Sequence, residues 1–259
     1  MFDKGEGLPI VVVQPLQGRW QWMRPFLEAL ATRCRVITYT LCGDFGADRP
    51  MDPDKGFDLF VQQLEDVMND KGLDQAALCG ISFGGTVALR YAARHPDRVT
   101  HLVVASSPGP GWTANAQQAV YVSRPLLTLP AFLLTAALRL RAELLTALPR
   151  LADRVSFLVR TGMAALCYPA LPHLMARRVR LMQTIDLADD AQRVTAPTLI
   201  VTGHPSLDLV VPVESTRQYL KFVRNSRYEM MADTGHSGSL TQPLTLARLV
   251  GDFIHADHS

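Results

Sequence analysis

Cysteine is scarce: the chain has four in 259 residues, Cys34, Cys42, Cys79 and Cys167, and none forms a CxxC pair. Structural zinc sites need closely paired ligands, so no metal is expected. Cys79 lies in an apolar run and reads as a small buried hydrophobe. Cys34 and Cys42 flank one predicted strand, but a reducing compartment disfavours a bond between them. No uninterrupted apolar stretch approaches the roughly 20 residues of a membrane span. The opening MFDKGEGLP has no signal-peptide apolar core. An excess of one charge is missing too, with 26 basic and 24 acidic residues and a net charge of +2. Nothing in that balance holds nucleic acid or an anionic membrane. These absences predict a soluble, cytoplasmic protein whose partner is a small molecule. They specify neither a cofactor nor an oligomeric state. The tail bearing His255 and His258 reads as a frayed end.

What is present is a repeating rhythm. Apolar residues make up 48% of the chain, enough for a large core. Residues 9–14, PIVVVQ, form a β-branched run without polar alternation, which suits a strand covered on both faces. Further strands are predicted at 35–40, 76–81, 99–105, 197–202 and 226–231. Helices are predicted at 20–32, 57–70, 84–95, 213–223 and 240–254. Strands alternating with helices pair in parallel through right-handed crossovers. The expectation is an α/β fold of about six parallel strands with helices on both faces.

Residues 107–194 break the rhythm. They are rich in Leu, Ala and Arg, are punctuated by Pro125, Pro130, Pro149, Pro169 and Pro172, and read as several short helices without strands. The insertion leaves the C-terminal end of a strand, the edge where open parallel sheets carry their sites. It is therefore expected to be a helical cap over a core made of residues 1–106 and 195–259. Within it, Arg139, Arg141 and Glu143 interrupt the apolar stretch 126–148, which weighs against contact with a lipid surface.

One motif carries chemistry with a physical reason for each residue. Gly80-Ile81-Ser82-Phe83-Gly84-Gly85 is G-x-S-x-G between a predicted strand and a predicted helix. A serine on such a tight turn stands clear of the sheet edge, and glycines two residues either side avoid a collision. The hydroxyl still needs a base. His236 follows the last predicted strand on a small-residue loop. His95 ends a helix, His101 lies within a strand and His173 is in the cap, so His204 is the one serious rival. The orienting acid should follow the preceding strand, which selects Asp208, with Asp233 as runner-up. The oxyanion donors should be the backbone N–H of Phe83 and one from the loop Gln14-Pro15-Leu16-Gln17-Gly18. Pro15 has no N–H, so Leu16 is selected, with Gln17 second.

These residues resemble the α/β-hydrolase superfamily across nearly the whole chain. The likeness rests on GISFGG, on HPDRVTHLVVASSPGP, and on GHPSLDLVVP followed by His236, 28 residues after Asp208. It implies that fold, with cofactor-free, esterase-like chemistry. An aspartate at the elbow would mark epoxide hydrolases and haloalkane dehalogenases, and Ser82 argues against both. Three departures stand out. Gln14-Pro15 replaces the family's usual His-Gly. Asp208 comes five residues after Gly203, on a lengthened acid loop. Eight residues precede Pro9, too few for the two extra strands with which relatives often begin, so that pair is expected to be absent.

The leading expectation is hydrolysis of a carboxylic ester of a largely apolar substrate through an acyl-serine intermediate. Trp112, Tyr121, Phe132, Phe157, Met163 and Tyr168 are candidates for the apolar pocket, although packing within the cap accounts for most of them. The alternatives are a C–C bond hydrolase or acyltransferase with the same triad, and a small-molecule receptor with vestigial activity.

Overall fold

A strand run with no polar positions is stable only between two layers, and the sheet meets that demand. The computed structural model describes residues 1–52 and 54–256, so His258 lies outside the described residues. The strands are β1 (Phe2–Lys4), β2 (Pro9–Val13), β3 (Arg35–Thr38), β4 (Ala76–Ile81), β5 (Val99–Ala105), β6 (Thr198–Gly203) and β7 (Ser226–Met231). Their order across the sheet is β1-β3-β2-β4-β5-β6-β7. Strands β2 to β7 pair in parallel.

Among the helices, α1 (Arg24–Leu30), α2 (Asp58–Asp70) and α3 (Phe83–Arg94) alternate with the early strands. Next come α4 (Ala116–Ser123), α5 (Leu129–Ala147), α6 (Leu151–Cys167), α7 (Pro172–Met182) and α8 (Leu187–Arg193), all between β5 and β6. The chain closes with α9 (Val213–Arg217), α10 (Tyr219–Phe222), α11 (Gly238–Thr241) and α12 (Pro243–His255).

Period-two alternation divides the core. Val11 and Val13 of β2 join Ile37, Leu78, Phe60 and Val87 on the face covered by α2 and α3. Ile10 and Val12 join Val36, Phe26, Leu30 and Val250 on the opposite face, under α1 and α12. The same division explains the cysteines. Cys34 belongs to one face and Cys42 to the other, and all four thiols are free. Burial pushes the Cys34 thiol up to about 12.

Several boundaries differ from expectation for local reasons. A single strand precedes Pro9 that the sequence reading did not identify: β1 pairs antiparallel with β3 through Phe2–Thr38 and Lys4–Val36. Pro25 sits in the first turn of α1, and residues 20–23 form a 3-10 turn ahead of it. The last predicted helix splits at Pro243, which opens α12 after α11 has ended. The inserted helices are not uniformly short, since α5 has 19 residues and α6 has 17. Pro130 and Pro172 lie in first turns, where a missing N–H costs nothing. His255 ends α12 with its ring 3.0 Å from the Arg33 carbonyl, so it is not frayed. Within the inserted stretch, α8 packs on α3, and its Asp190 pairs with Arg90 at 2.7 Å.

Candidate active site

Ser82 links β4 to α3 with φ 53° and ψ −118°, a conformation that side chains other than glycine rarely adopt. Strain of this kind costs about 1–3 kcal/mol and persists only when the surroundings enforce it. Two hydrogen bonds do so: Ser82 N donates to Ala105 O at 2.8 Å, and Ser107 Oγ donates to Ser82 O at 2.7 Å. The flanking glycines are sterically required. A Cβ on Gly80 would overlap the backbone of Gly84 and Gly85, and one on Gly84 would overlap the carbonyl of Val13.

Two loops from the neighbouring strands converge on this turn. His204 N donates to Thr234 O at 2.7 Å, which ties the loop after β6 to the loop after β7. Gly203 and Gly235 permit that approach, because a Cβ on either would strike the other loop's backbone. The result brings the three predicted residues together. His236 Nε2 lies 3.1 Å from Ser82 Oγ, and His236 Nδ1 lies 3.3 Å from Asp208 Oδ2. The other Asp208 oxygen, Oδ1, accepts from Val210 N at 3.1 Å and Val211 N at 3.0 Å. The lengthened acid loop thus holds a buried carboxylate through its own backbone. The rivals sit elsewhere: the His204 ring bonds Ser206 Oγ at 2.7 Å, and Asp233 is exposed.

The loop after β2 is a tight turn held from outside. Gln14 is fully buried, and its side-chain amide is bonded to Thr38 Oγ1. Residues 15–18 form a tight turn closed by Gly18 N donating to Pro15 O at 2.9 Å, with Gly18 at φ 72°. The buried Arg178 of α7 holds this turn. Its guanidinium donates to Leu16 O at 2.8 Å and to Cys42 O at 3.2 Å, and it pairs with Asp44. Leu16 packs on the cluster that contains Phe83, which opens α3.

Arg178 was missed by sequence reasoning, as was Glu143. Glu143, from α5, is 2% exposed and accepts from Thr234 Oγ1 at 2.6 Å, Ser237 N at 3.1 Å and Thr241 Oγ1 at 3.0 Å. All three donors lie around His236. The available signal was a charge on an apolar helical stripe: Leu174, Arg178 and Met182 recur at four-residue spacing, as do Glu143 and Ala147.

A strand–elbow–helix serine followed along the chain first by its carboxylate, Asp208, and then by its histidine, His236, is an arrangement of one fold. A family model for the alpha/beta hydrolase fold matches residues 9–243. The chain belongs to that family. It is 27% identical to 2-hydroxymuconate semialdehyde hydrolase from Pseudomonas sp. (strain CF600), over 98% of this chain and 89% of that protein. In structure it resembles an esterase from Exiguobacterium antarcticum (TM-score 0.79, 20% identity, 98% of this chain and 94% of that chain). It also resembles the enol-lactonase from Burkholderia xenovorans LB400 (TM-score 0.76, 20% identity, 98% of this chain and 95% of that chain). This alpha/beta hydrolase family member is a hydrolase.

The electrostatics around the hydrolase's His236 have opposed contributions. Burial, the largest, pulls the imidazole pKa down. The charge and hydrogen bond of Asp208, joined by the charge of Glu143, outweigh it and leave the pKa raised. An NMR titration of the His236 ring is accordingly expected to give a value above the ordinary histidine value of about 6.5. Glu143→Gln removes one of the raising charges, so the midpoint moves down. An unchanged midpoint in that variant would mean that Glu143 acts on the loop without acting on the ring's charge.

Proposed function

We propose that the protein hydrolyses a carboxylic ester of a largely apolar substrate through an acyl-serine intermediate. The observation that carries this reading is the continuous chain from Ser82 Oγ through His236 to Asp208. Ser82 Oγ attacks the ester carbonyl carbon while its proton passes to His236 Nε2. The carbonyl electron pair moves onto oxygen, where the N–H groups of Phe83 and Leu16 receive it. The oxyanion collapses, the alcohol leaves with the proton from His236, and the acyl group stays on Ser82. Water then gives a proton to His236 and attacks the acyl carbon; the second oxyanion collapses, the acid leaves, and Ser82 Oγ takes the proton back from His236. Asp208 stays ionised throughout, fixing the tautomer and stabilising the imidazolium. The helices of residues 107–194 serve as the cap, with Arg178 and Glu143 anchoring it to the loops that carry Leu16 and His236.

The test is the time course of p-nitrophenol release from p-nitrophenyl butyrate. Steady release over many turnovers is the expected result. A single burst equal to the enzyme concentration, followed by silence, would instead mark a receptor with vestigial chemistry. A chain-length series is expected to favour acyl groups longer than acetyl, and a clear preference for acetate would remove the apolar-substrate part of the reading. A second reading, cleavage of a C–C bond with the same three residues, is favoured by the near full-length likeness to 2-hydroxymuconate semialdehyde hydrolase. Failure on all esters, with turnover of 2-hydroxymuconate semialdehyde, would establish it.

A further inference from the structure

Large apolar side chains are not spread evenly over the surface. Among the described residues, 19 stand exposed, and 14 of these lie between Val120 and Tyr168. On α5 they recur at helical spacing as Leu134, Leu138 and Leu145, and on α6 as Val155, Val159 and Leu166. Leu138 is 61% exposed and Leu166 is 79% exposed. Three residues join the two helices. Their inward faces rest on neighbouring parts of the core, α5 on α11 and α6 on the turn at residues 20–23. Their outward faces are exposed. An apolar concentration of this kind marks an interaction surface rather than ordinary scatter.

Charge identifies the partner. Residues 120–168 contain six arginines against two carboxylates, Glu143 and Asp153, and no lysine, whereas the remaining residues carry 20 basic and 22 acidic side chains. The near-neutral total therefore hides a segregated positive patch. The sequence alone counted Glu143 as an interruption of the apolar stretch, but the structure turns it inward onto Thr234, Ser237 and Thr241. Arg139 bends back onto Thr135 of its own helix. Arg160 reaches back over the Phe157 ring to the Leu240 carbonyl. The exposed face is left with leucines and valines beside exposed Arg141 and Arg150. A second copy meeting this face across a two-fold axis would set arginine against arginine, which disfavours self-pairing. No helix among the described residues is long and apolar enough to cross a membrane.

We propose that the outward face of α5 and α6 docks on the surface of an anionic phospholipid bilayer. The leucines and valines enter the boundary between headgroups and acyl chains, and the arginines take the lipid phosphates. Because α5 carries Glu143 on its opposite side, one helix faces both the lipid and the loop of His236. The surface does not depend on the ester reading, and its test needs no turnover.

The whole protein is sedimented with vesicles of phosphatidylglycerol and phosphatidylcholine, and with vesicles of phosphatidylcholine alone. Binding is expected on the anionic vesicles. It should weaken about tenfold or more on neutral ones, in the double variant Arg141→Gln/Arg150→Gln, and in the quadruple variant Leu134→Gln/Leu138→Gln/Val159→Gln/Leu166→Gln. All six positions are exposed, so thermal midpoints should stay at the native value, and that measurement certifies the variants as folded. No sedimentation with anionic vesicles overturns the proposal. Retained binding by the quadruple variant also overturns it, because adsorption would then be by charge alone. A third contrary result is a dimer by light scattering that the quadruple variant dissociates without any vesicle uptake, which would assign the face to a second copy.

Discussion

Ser82→Ala is expected to lower ester turnover about a million-fold, to the level set by binding and the oxyanion donors alone. Stability should hardly change. The hydroxyl's one described partner is His236 Nε2, and the bonds that enforce the strained turn run through the Ser82 backbone, which alanine keeps. Steady-state kinetics with p-nitrophenyl butyrate, alongside a thermal melt, separate the two effects. A folded variant that retained more than about one per cent of the activity would remove Ser82 from the chemistry.

Asp208→Asn should cost about ten-thousand-fold, and the reason is specific to this loop. Val210 N and Val211 N both donate to Asp208 Oδ1, so an asparagine there must turn its carbonyl oxygen toward them. Its amide then faces His236 Nδ1 as a donor. The imidazole must accept on Nδ1 and carry its proton on Nε2, the nitrogen that has to take the proton of Ser82. The geometry survives while the tautomer is reversed. Asp233→Asn is the control. That side chain is exposed and should change kcat by no more than about twofold, as surface substitutions do. Equal losses in both variants would contradict the assignment of the acid.

Much of this site was legible because its chemistry restricts which residues can stand there. The elbow demands glycine at 80 and 84 for steric reasons that hold in any chain adopting the turn, and the structure gives the same reasons atom by atom. The six parallel strands were legible from short strand-like runs alternating with helical patterns, most plainly in the β-branched PIVVV of β2. β1 was not, since three residues, Phe2–Lys4, are too short to display a period. Arg178 and Glu143 escaped for a different reason. An isolated charge on a leucine-rich helix looks like a solvent-facing interruption until the partner loop is known, and here each partner loop lies far away in sequence. The Gln14–Pro15 departure was visible, but its consequence was not: the glutamine amide turns inward to Thr38, and a distant arginine shapes the turn. Local sequence thus specified the nucleophile, while the parts that hold the loops around it depend on tertiary packing.

The central claim is that an acyl group is carried on Ser82. The most direct measurement is peptide mass spectrometry of the intact protein after treatment with an alkyl fluorophosphonate, which mimics the attacked ester and stays bound. One adduct on the peptide containing Ser82, absent from Ser82→Ala, is the expected result. Ser106 also adopts a positive φ, 46°, at the end of the neighbouring strand. An adduct there, or a protein that remains unmodified while still hydrolysing esters, would contradict the account.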